Sequence, residues 1–492
     1  MDRRDFLAGG VLAATALSSG RARAQTRARS SPPNIVVIVV DDMRFDEYGG
    51  GGHPYLRTPH IDALGTLGAT FSNAYHTTPL CSPNRACIVT GQYASRHEII
   101  DNSSRSYASH RLQTFAQELQ RAGYETAHVG KWHMGNDPTP RPGYDYWVSF
   151  PGQGTTVNPE LYEDGRLHRV DGYITDLLTD RAVSFLTRAR SRPFMLYIGH
   201  KAVHPELQQR DDGSVDPSTS EGFVPAERHR GKYAGKRFPR RPSYGPAERG
   251  RSGKPVVAGA LDLKRSPAMV KAFGAELLDD MVSDETIQQR AEMMLAVDES
   301  VGRVREALER QGALENTMIV FMSDNGSFFG EHGLSVERRL PYEESVKGPL
   351  LVCHPAAIER GRRIKQLALS IDIAPTLVEA AGQTAPARMQ GRSLMPLLQG
   401  SSPRWRESCL MEYYSQENPF PWLTNLDYRA VRLGRYKYIR WIRYEEAQEL
   451  YDLESDPFEQ RNLAYDAKYA ATVAQARSAM ASLVVESLGL RP

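Results

Sequence analysis

The stretch Cys81-Ser82-Pro83-Asn84-Arg85 is where the residue types of this chain first suggest chemistry. Pro83 suits the first turn of a helix running toward Thr90-Gly91, which puts Cys81 at the helix N-terminus, where unsatisfied N–H groups and the helix dipole favour an anion. Arg85 lies four residues on, shares that face and adds a positive charge. Asp41-Asp42 and Asp324-Asn325 are two widely separated pairs of oxygen donors, and Lys131, His133, His200 and His204 can hold or move protons. Each has an ordinary reading alone: a loop cysteine, solvated turn carboxylates, surface lysines and histidines. Their meaning depends on whether one fold edge collects them.

The apolar pattern predicts such an edge. Asn34 to Val40 is a continuous β-branched run, as expected of a strand buried on both faces of a parallel sheet, and it ends in Asp41. Thr126 to Val129, Phe194 to Ile198 and Met318 to Met322 read the same way. They run out into Lys131 and His133, His200 and His204, and Asp324 and Asn325. Helical patterns lie between them: one from Thr58, with Thr58 as cap and Pro59 in the first turn, and others over about Leu112 to Ala122, Thr175 to Ala189 and Thr286 to Arg310. This alternation predicts an α/β fold, a large mostly parallel sheet sandwiched by helices, whose ligands gather beyond the carboxyl ends of the strands. Lys131 and His133, two apart on extended chain, would point the same way.

The end of the chain reads differently. Arg429 to Trp441 alternates partly at period two, Glu449 to Leu453 looks like a partner strand, Asp456-Pro457 makes a turn, and a helix begins near Asp466. The expected layout is a catalytic unit over 25–400 and a smaller C-terminal antiparallel sheet plus helix over 401–492. Within the first, 206–283 reads as a basic loop insertion, with thirteen Lys/Arg against eight Asp/Glu between 206 and 270. That excess is read as facing the edge where ligands gather and helping select an anionic substrate.

The motif Cys81-Ser-Pro-Asn-Arg85 resembles the Cys-x-Pro-x-Arg signature of the sulfatase family, and the likeness runs from about Asn34 to Leu463. The family's metal ligands correspond to Asp41, Asp42, Asp324 and Asn325, its Gly-Lys-x-His to Gly130-Lys131-Trp132-His133, and its histidine before a proline to His204. Four residues before Tyr342-Glu343 many members carry a lysine; this chain has Arg338, which keeps the charge but adds a planar fork. The resemblance implies that Cys81 is oxidised to formylglycine by a maturation enzyme and contacts the metal. Three carboxylates and one amide are hard oxygen donors, which select Ca²⁺ or Mg²⁺ over zinc, and the resemblance implies Ca²⁺ of the two. In the implied mechanism the hydrated aldehyde at position 81 attacks sulfur, Arg85, Lys131 and Arg338 hold charge, His204 protonates the leaving alkoxide, and His133 takes the proton that collapses the hydrate.

The implied substrate is a sulfated small molecule or glycan. The contexts Arg96 to Asn102 and Lys201 to His204 resemble glycan sulfatases, glucosamine-6-sulfatases among them. A phosphodiester or phosphonate monoester hydrolase of the same superfamily is the enzymatic alternative. An exported glycan-binding protein with an unmodified cysteine is the other, disfavoured because a binder needs no acid/base pair.

Composition excludes further classes. The 492 residues exceed any single small binding module, and 61 Lys+Arg against 59 Asp+Glu give no global attraction for nucleic acid. Four cysteines in a chain of this length do not make a disulfide scaffold. Residues 1–24 read as a twin-arginine-type signal: Arg3-Arg4 precede an apolar run too short to span a bilayer and a small-residue stop at Ala22-Arg23-Ala24. The expectation is periplasmic or secreted location without stable membrane insertion.

Overall fold

The computed structural model describes residues 32–492 except 217, 218, 220, 221, 246–252, 274–281, 335–337, 402, 416–420 and 491–492. The expected signal, 1–24, lies outside the described residues.

Strand β1, Asn34–Val40, alternates its side chains between two separate cores. Ile35, Val37 and Val39 pack with the helices Cys81–Thr90, Phe115–Arg121 and Ile373–Ala380. Val36, Ile38 and Val40 pack with Pro59–Leu67, Ile174–Leu186 and Asp284–Arg310. Apolar residues are therefore needed at every position of this strand, because both faces of the sheet are covered. The remaining strands of the main sheet are β2 (Ala69–Tyr75), β3 (Glu125–Gly130), β4 (Tyr146–Ser149), β5 (Glu160–Glu163), β6 (Arg166–Arg169), β7 (Phe194–Gly199), and, after the short hairpin β8 (Gln208–Gln209) and β9 (Val215–Asp216), β10 (Thr317–Ser323), β11 (Leu350–Cys353) and β12 (Arg362–Leu369).

The main sheet has ten strands in the order β12-β2-β11-β10-β1-β7-β3-β4-β5-β6. Its centre, β10-β1-β7-β3-β4, is parallel throughout. The flanks are mixed: β11 runs antiparallel to both β10 and β2, and β5 and β6 form an antiparallel meander. Close approach fixes the end of β3. Gly130 has φ +112°, and a Cβ there would stand 2.1 Å from the carbonyl of Gly199 on β7. That carbonyl accepts from the N–H of Lys131 at 2.7 Å, so glycine is required where β3 delivers its lysine.

The C-terminal sheet has four antiparallel strands: β13 (Ser408–Tyr413), β14 (Tyr428–Leu433), β15 (Tyr436–Trp441) and β16 (Gln448–Asp452). The run from Arg429 to Trp441, expected as one strand, is a hairpin, because Gly434 takes φ +56° in a two-residue turn between the paired residues Leu433 and Tyr436. A helix, Ala470–Ser487, follows a turn capped by the Asp466 side chain, close to the expected start. This sheet shares a core with the larger one, since Leu410, Met411, Tyr428 and Trp441 cluster with Tyr75, Cys87, Phe328 and Tyr342.

The 206–283 segment departs from a plain loop. It holds the β8–β9 hairpin and a helix, Pro255–Lys264, whose Val256, Val257 and Leu261 are buried. Arg241 of this segment pairs with acids of the rest of the fold, Asp46 at 2.5 Å and Glu344 at 2.8 Å, so part of its basic charge is neutralised internally. All four cysteines are free and buried. No helix among the described residues is long and apolar enough to cross a membrane.

Candidate active site

Parallel pairing of β10, β1, β7 and β3 brings their carboxyl ends to one edge. Asp41 and Asp42 follow β1, Lys131 and His133 follow β3, His204 follows β7, and Asp324 and Asn325 follow β10. Cys81 reaches the same edge by a strand that the sequence pattern did not reveal. β2 is antiparallel to β11, which is antiparallel to β10, so β2 runs with β10 and its end leads through Leu80 into the helix Cys81–Thr90. Arg338 comes from the connection between β10 and β11.

At the centre are three buried carboxylates. Asp41, Asp42 and Asp324 each offer an oxygen within 4.8 Å of the others. Each is matched by one cation. Lys131 Nζ pairs with Asp41 Oδ2, Arg338 Nε lies 3.2 Å from Asp42 Oδ1, and Arg85 reaches Asp324 Oδ2 through Nε at 2.8 Å and Nη2 at 2.7 Å. The Asp42 N–H donates to Asp324 Oδ1 at 3.1 Å, and Asn325 Nδ2 donates to Asp42 Oδ1 at 2.6 Å. Burial pushes the Asp42 and Asp324 carboxyls up, Asp324 to about 7 with Asp41 as the next cause. Burial acts upward on Asp41 too, but Lys131, His204 and Arg85 hold it well below the usual carboxylate range.

Two oxygens of this cluster, Asp41 Oδ1 and Asn325 Oδ1, are buried without a hydrogen-bond partner among the described residues. Unpaired buried acceptors are costly, and oxygen-only donors suit a hard divalent cation. The donor set therefore fits such an ion.

Cys81 opens a helix whose ten residues are all buried. Its Sγ lies 3.9 Å from Asp42 Oδ1, and burial, then Asp41, pushes the thiol pKa up, so the unmodified side chain is a thiol rather than a thiolate. Arg85 adds a hydrogen bond to the carbonyl of Lys131 at 2.9 Å, tying the helix to the end of β3.

Lys131 and His133 both join the site, but not by strand alternation. β3 ends at Gly130, and His133 takes φ +66°, so the chain turns between them. Lys131 meets Asp41 and Gln153 Oε1, whereas His133 Nε2 meets Gln209 Oε1 at 2.7 Å. His204 donates from Nδ1 to the carbonyl of Pro205 at 2.8 Å, and its Nε2 accepts from Arg338 Nη2 at 3.0 Å. Burial, then Lys131, holds both His133 and His204 well below the usual imidazole range. His200 is buried and meets Ser300 Oγ at 3.3 Å, on the helix Asp284–Arg310, away from the carboxylate cluster's direct contacts.

Sequence reasoning missed several supports. Arg290 is fully buried on Asp284–Arg310; it donates to Glu47 at 2.8 and 2.7 Å and to the carbonyl of Asp42 at 2.7 Å. Asn84, inside the signature, donates to the carbonyl of Asp324 and meets His76 Nδ1 at 3.1 Å. Gln153 and Gln209 join Lys131 to His133. Arg290 stands just before the apolar run Met293 to Val297 on a predicted helix, which was a readable signal for it; Gln153 and Gln209 carry none.

Comparison with known proteins gives the family and the fold. The family model described as Sulfatase matches residues 33–383, and one described as N-sulphoglucosamine sulphohydrolase, C-terminal, matches 330–486. The chain is 30% identical over 516 residues to the N-acetylglucosamine-6-O-sulfatase of Bacteroides thetaiotaomicron, covering 94% of this chain and 88% of that protein. A solved structure in complex with its substrate D-glucosamine-2-N,6-O-disulfate superposes with a TM-score of 0.78 at 28% identity, covering 93% of this chain and 98% of that one. The phosphonate monoester hydrolase of Agrobacterium radiobacter shares the fold, with a TM-score of 0.71 at 21% identity over 93% and 96% of the two chains.

The Arg290–Glu47 pair gives a direct stability test. Arg290→Met strands a buried carboxylate and is expected to cost about 3–5 kcal/mol in denaturant unfolding, whereas adding Glu47→Gln should recover part of that loss. Unchanged stability of Arg290→Met would show that the pair does not brace the strand end that carries Asp42.

Proposed function

The chain belongs to the sulfatase family and is a sulfuric ester hydrolase, and we propose that it removes the 6-O-sulfate of a glucosamine-type sugar. The observation that carries this reading is its similarity, over nearly the whole chain, to an enzyme named for that activity. The solved structure holding a 6-sulfated glucosamine supports it.

We assign the site as follows. Asp41, Asp42, Asp324 and Asn325 hold one divalent cation, Ca²⁺ before Mg²⁺, with residue 81 beside them. When bound, that ion supplies positive charge toward the nucleophile and sulfate, in a pocket whose three carboxylates already match three side-chain cations. Residue 81, as formylglycine, supplies an oxygen nucleophile at a helix N-terminus, where charge favours an anion. Arg85 and Lys131 hold the negative charge of the sulfate and of the hydrated residue 81. Arg338 turns from His204 toward the incoming sulfonyl oxygens.

His204 delivers a proton from Nε2 to the leaving sugar oxygen. In the resting arrangement that nitrogen accepts from Arg338, so as Arg338 turns to the substrate Nε2 takes up a proton from solvent, giving the imidazolium that serves as the acid. His133 takes a proton from residue 81 in the step that releases sulfate.

Burial constrains maturation. Cys81 is fully buried in a wholly buried helix, so the maturation enzyme that oxidises it must meet the chain before folding. A twin-arginine route exports folded protein, so the aldehyde is formed in the cytoplasm and the active enzyme works in the periplasm or outside the cell.

N-acetylglucosamine-6-sulfate should be hydrolysed in preference to 2-O- or 4-O-sulfated sugars and to a phosphonate monoester, and a peptide spanning residue 81 should carry an aldehyde-reactive mass. Faster turnover of the phosphonate, or full activity with an unmodified thiol, would sink the proposal.

His204→Ala should lower kcat on the sugar sulfate by about 10²-fold or more, yet spare an activated aryl sulfate whose phenoxide leaves unaided. Equal losses on both would remove His204 as the acid.

A further inference from the structure

We propose that Gln209 and Gln153 are positioning residues that hold His133 as the Nε2–H tautomer and so leave Nδ1 as its proton-accepting atom. The inference deepens the sulfatase reading and rests on it for the role of His133.

A directional chain of hydrogen bonds runs from Lys131 through Gln153 and Gln209 to His133. The ammonium of Lys131 has only donors, so the amide of Gln153 must turn Oε1 toward it. The Gln153 Nε2 then faces Gln209 and donates to its Oε1 at 3.0 Å. Gln209 is fixed independently at its other end. Its Nε2 donates at 2.8 Å to the carbonyl of Gly213, which can only accept. The two anchors agree, and they set the amide orientation by chemistry rather than by telling oxygen from nitrogen in the side chain.

The same Gln209 Oε1 lies 2.7 Å from His133 Nε2. An amide oxygen cannot donate, so the proton of that bond belongs to the imidazole. Burial, then the charge of Lys131, keeps the ring neutral. A neutral ring with a proton on Nε2 has a bare Nδ1. That atom is buried and has no hydrogen-bond partner among the described residues. Leaving an acceptor in that state is unfavourable, a cost recovered when a proton donor arrives with the chemistry. The ring is rooted beside residue 81, because the Ser82 hydroxyl donates to the carbonyl of His133.

The relay also gives part of the 206–283 segment a function. Gln209 lies on β8, the first strand of its hairpin, and Gly213 in the hairpin's own turn anchors it. The segment thus contributes a side chain that orients an active-site histidine, whatever its basic residues contribute to substrate selection.

The test is long-range ¹H–¹⁵N correlation spectroscopy on the full chain labelled with ring-¹⁵N histidine, at a pH where His133 is neutral. His133→Ala identifies the signal. The wild type is expected to show Nε2–H alone; a wild-type Nδ1–H pattern overturns the proposal before any positioning variant is needed. Gln209→Met should release the ring into a mixture of tautomers and lower kcat on the sulfated sugar about tenfold or more, with KM changed less than about twofold. If Gln209→Met does not fold, Gln153→Met weakens the same relay from the other end and should give a smaller shift in the same direction. An unchanged tautomer in both variants overturns the relay. A changed tautomer with unchanged kcat overturns instead the role of His133 in the proposed reaction, leaving tautomer control standing.

Discussion

Three carboxylates buried together cannot all stay charged unless positive charge is buried with them. Coulomb repulsion grows as water is excluded, so Asp41, Asp42 and Asp324 oblige the fold to bring Lys131, Arg338 and Arg85 into the same volume. Even so matched, Asp42 and Asp324 titrate above the usual carboxylate range, and Asp41 Oδ1 and Asn325 Oδ1 stay unpaired. A divalent cation bound there would relieve the repulsion and occupy the unpaired oxygens. It would also leave the pocket positive, which suits a sulfate ester.

The architecture makes this concentration of charge tolerable. Each carboxylate sits at the end of a strand whose body is held in two apolar cores, so repulsion at the tip works against the whole sheet. Arg290 braces the carbonyl of Asp42 from behind through its pair with Glu47. Arg85 links β10 to the end of β3 from the helix that begins at residue 81. The same helix is buried along its length, so an enzyme that modifies residue 81 would have to reach it before the site closes over it.

How much of this was legible in the sequence depended on the kind of signal. β1 was readable because a strand covered on both faces must be apolar at every position. The helix at Cys81 was readable because Pro83 and Gly91 mark its first turn and its end, and Gly91 does take φ +69° at the C-cap. β2 was not, since Phe71, Ala74 and Tyr75 are buried while Ser72 is exposed, leaving no continuous run. Lys131 and His133 were found by type, yet the geometry joining them was misjudged because the left-handed turn at His133 leaves no mark in the pattern. Gln153 and Gln209 carry no charge and no period, and their meaning appears only once the fold closes the path from Lys131 to His133.

The carboxylate cluster is tested most directly by the cation it would hold. Elemental analysis of the purified enzyme, repeated after exhaustive chelation and back-titration, should give one tightly held divalent ion per chain, Ca²⁺ in preference to Mg²⁺. Hydrolysis should be lost and regained with it, and Asp324→Ala should hold none. Full activity in metal-free protein, or two zinc ions per chain, would contradict the reading of these three carboxylates.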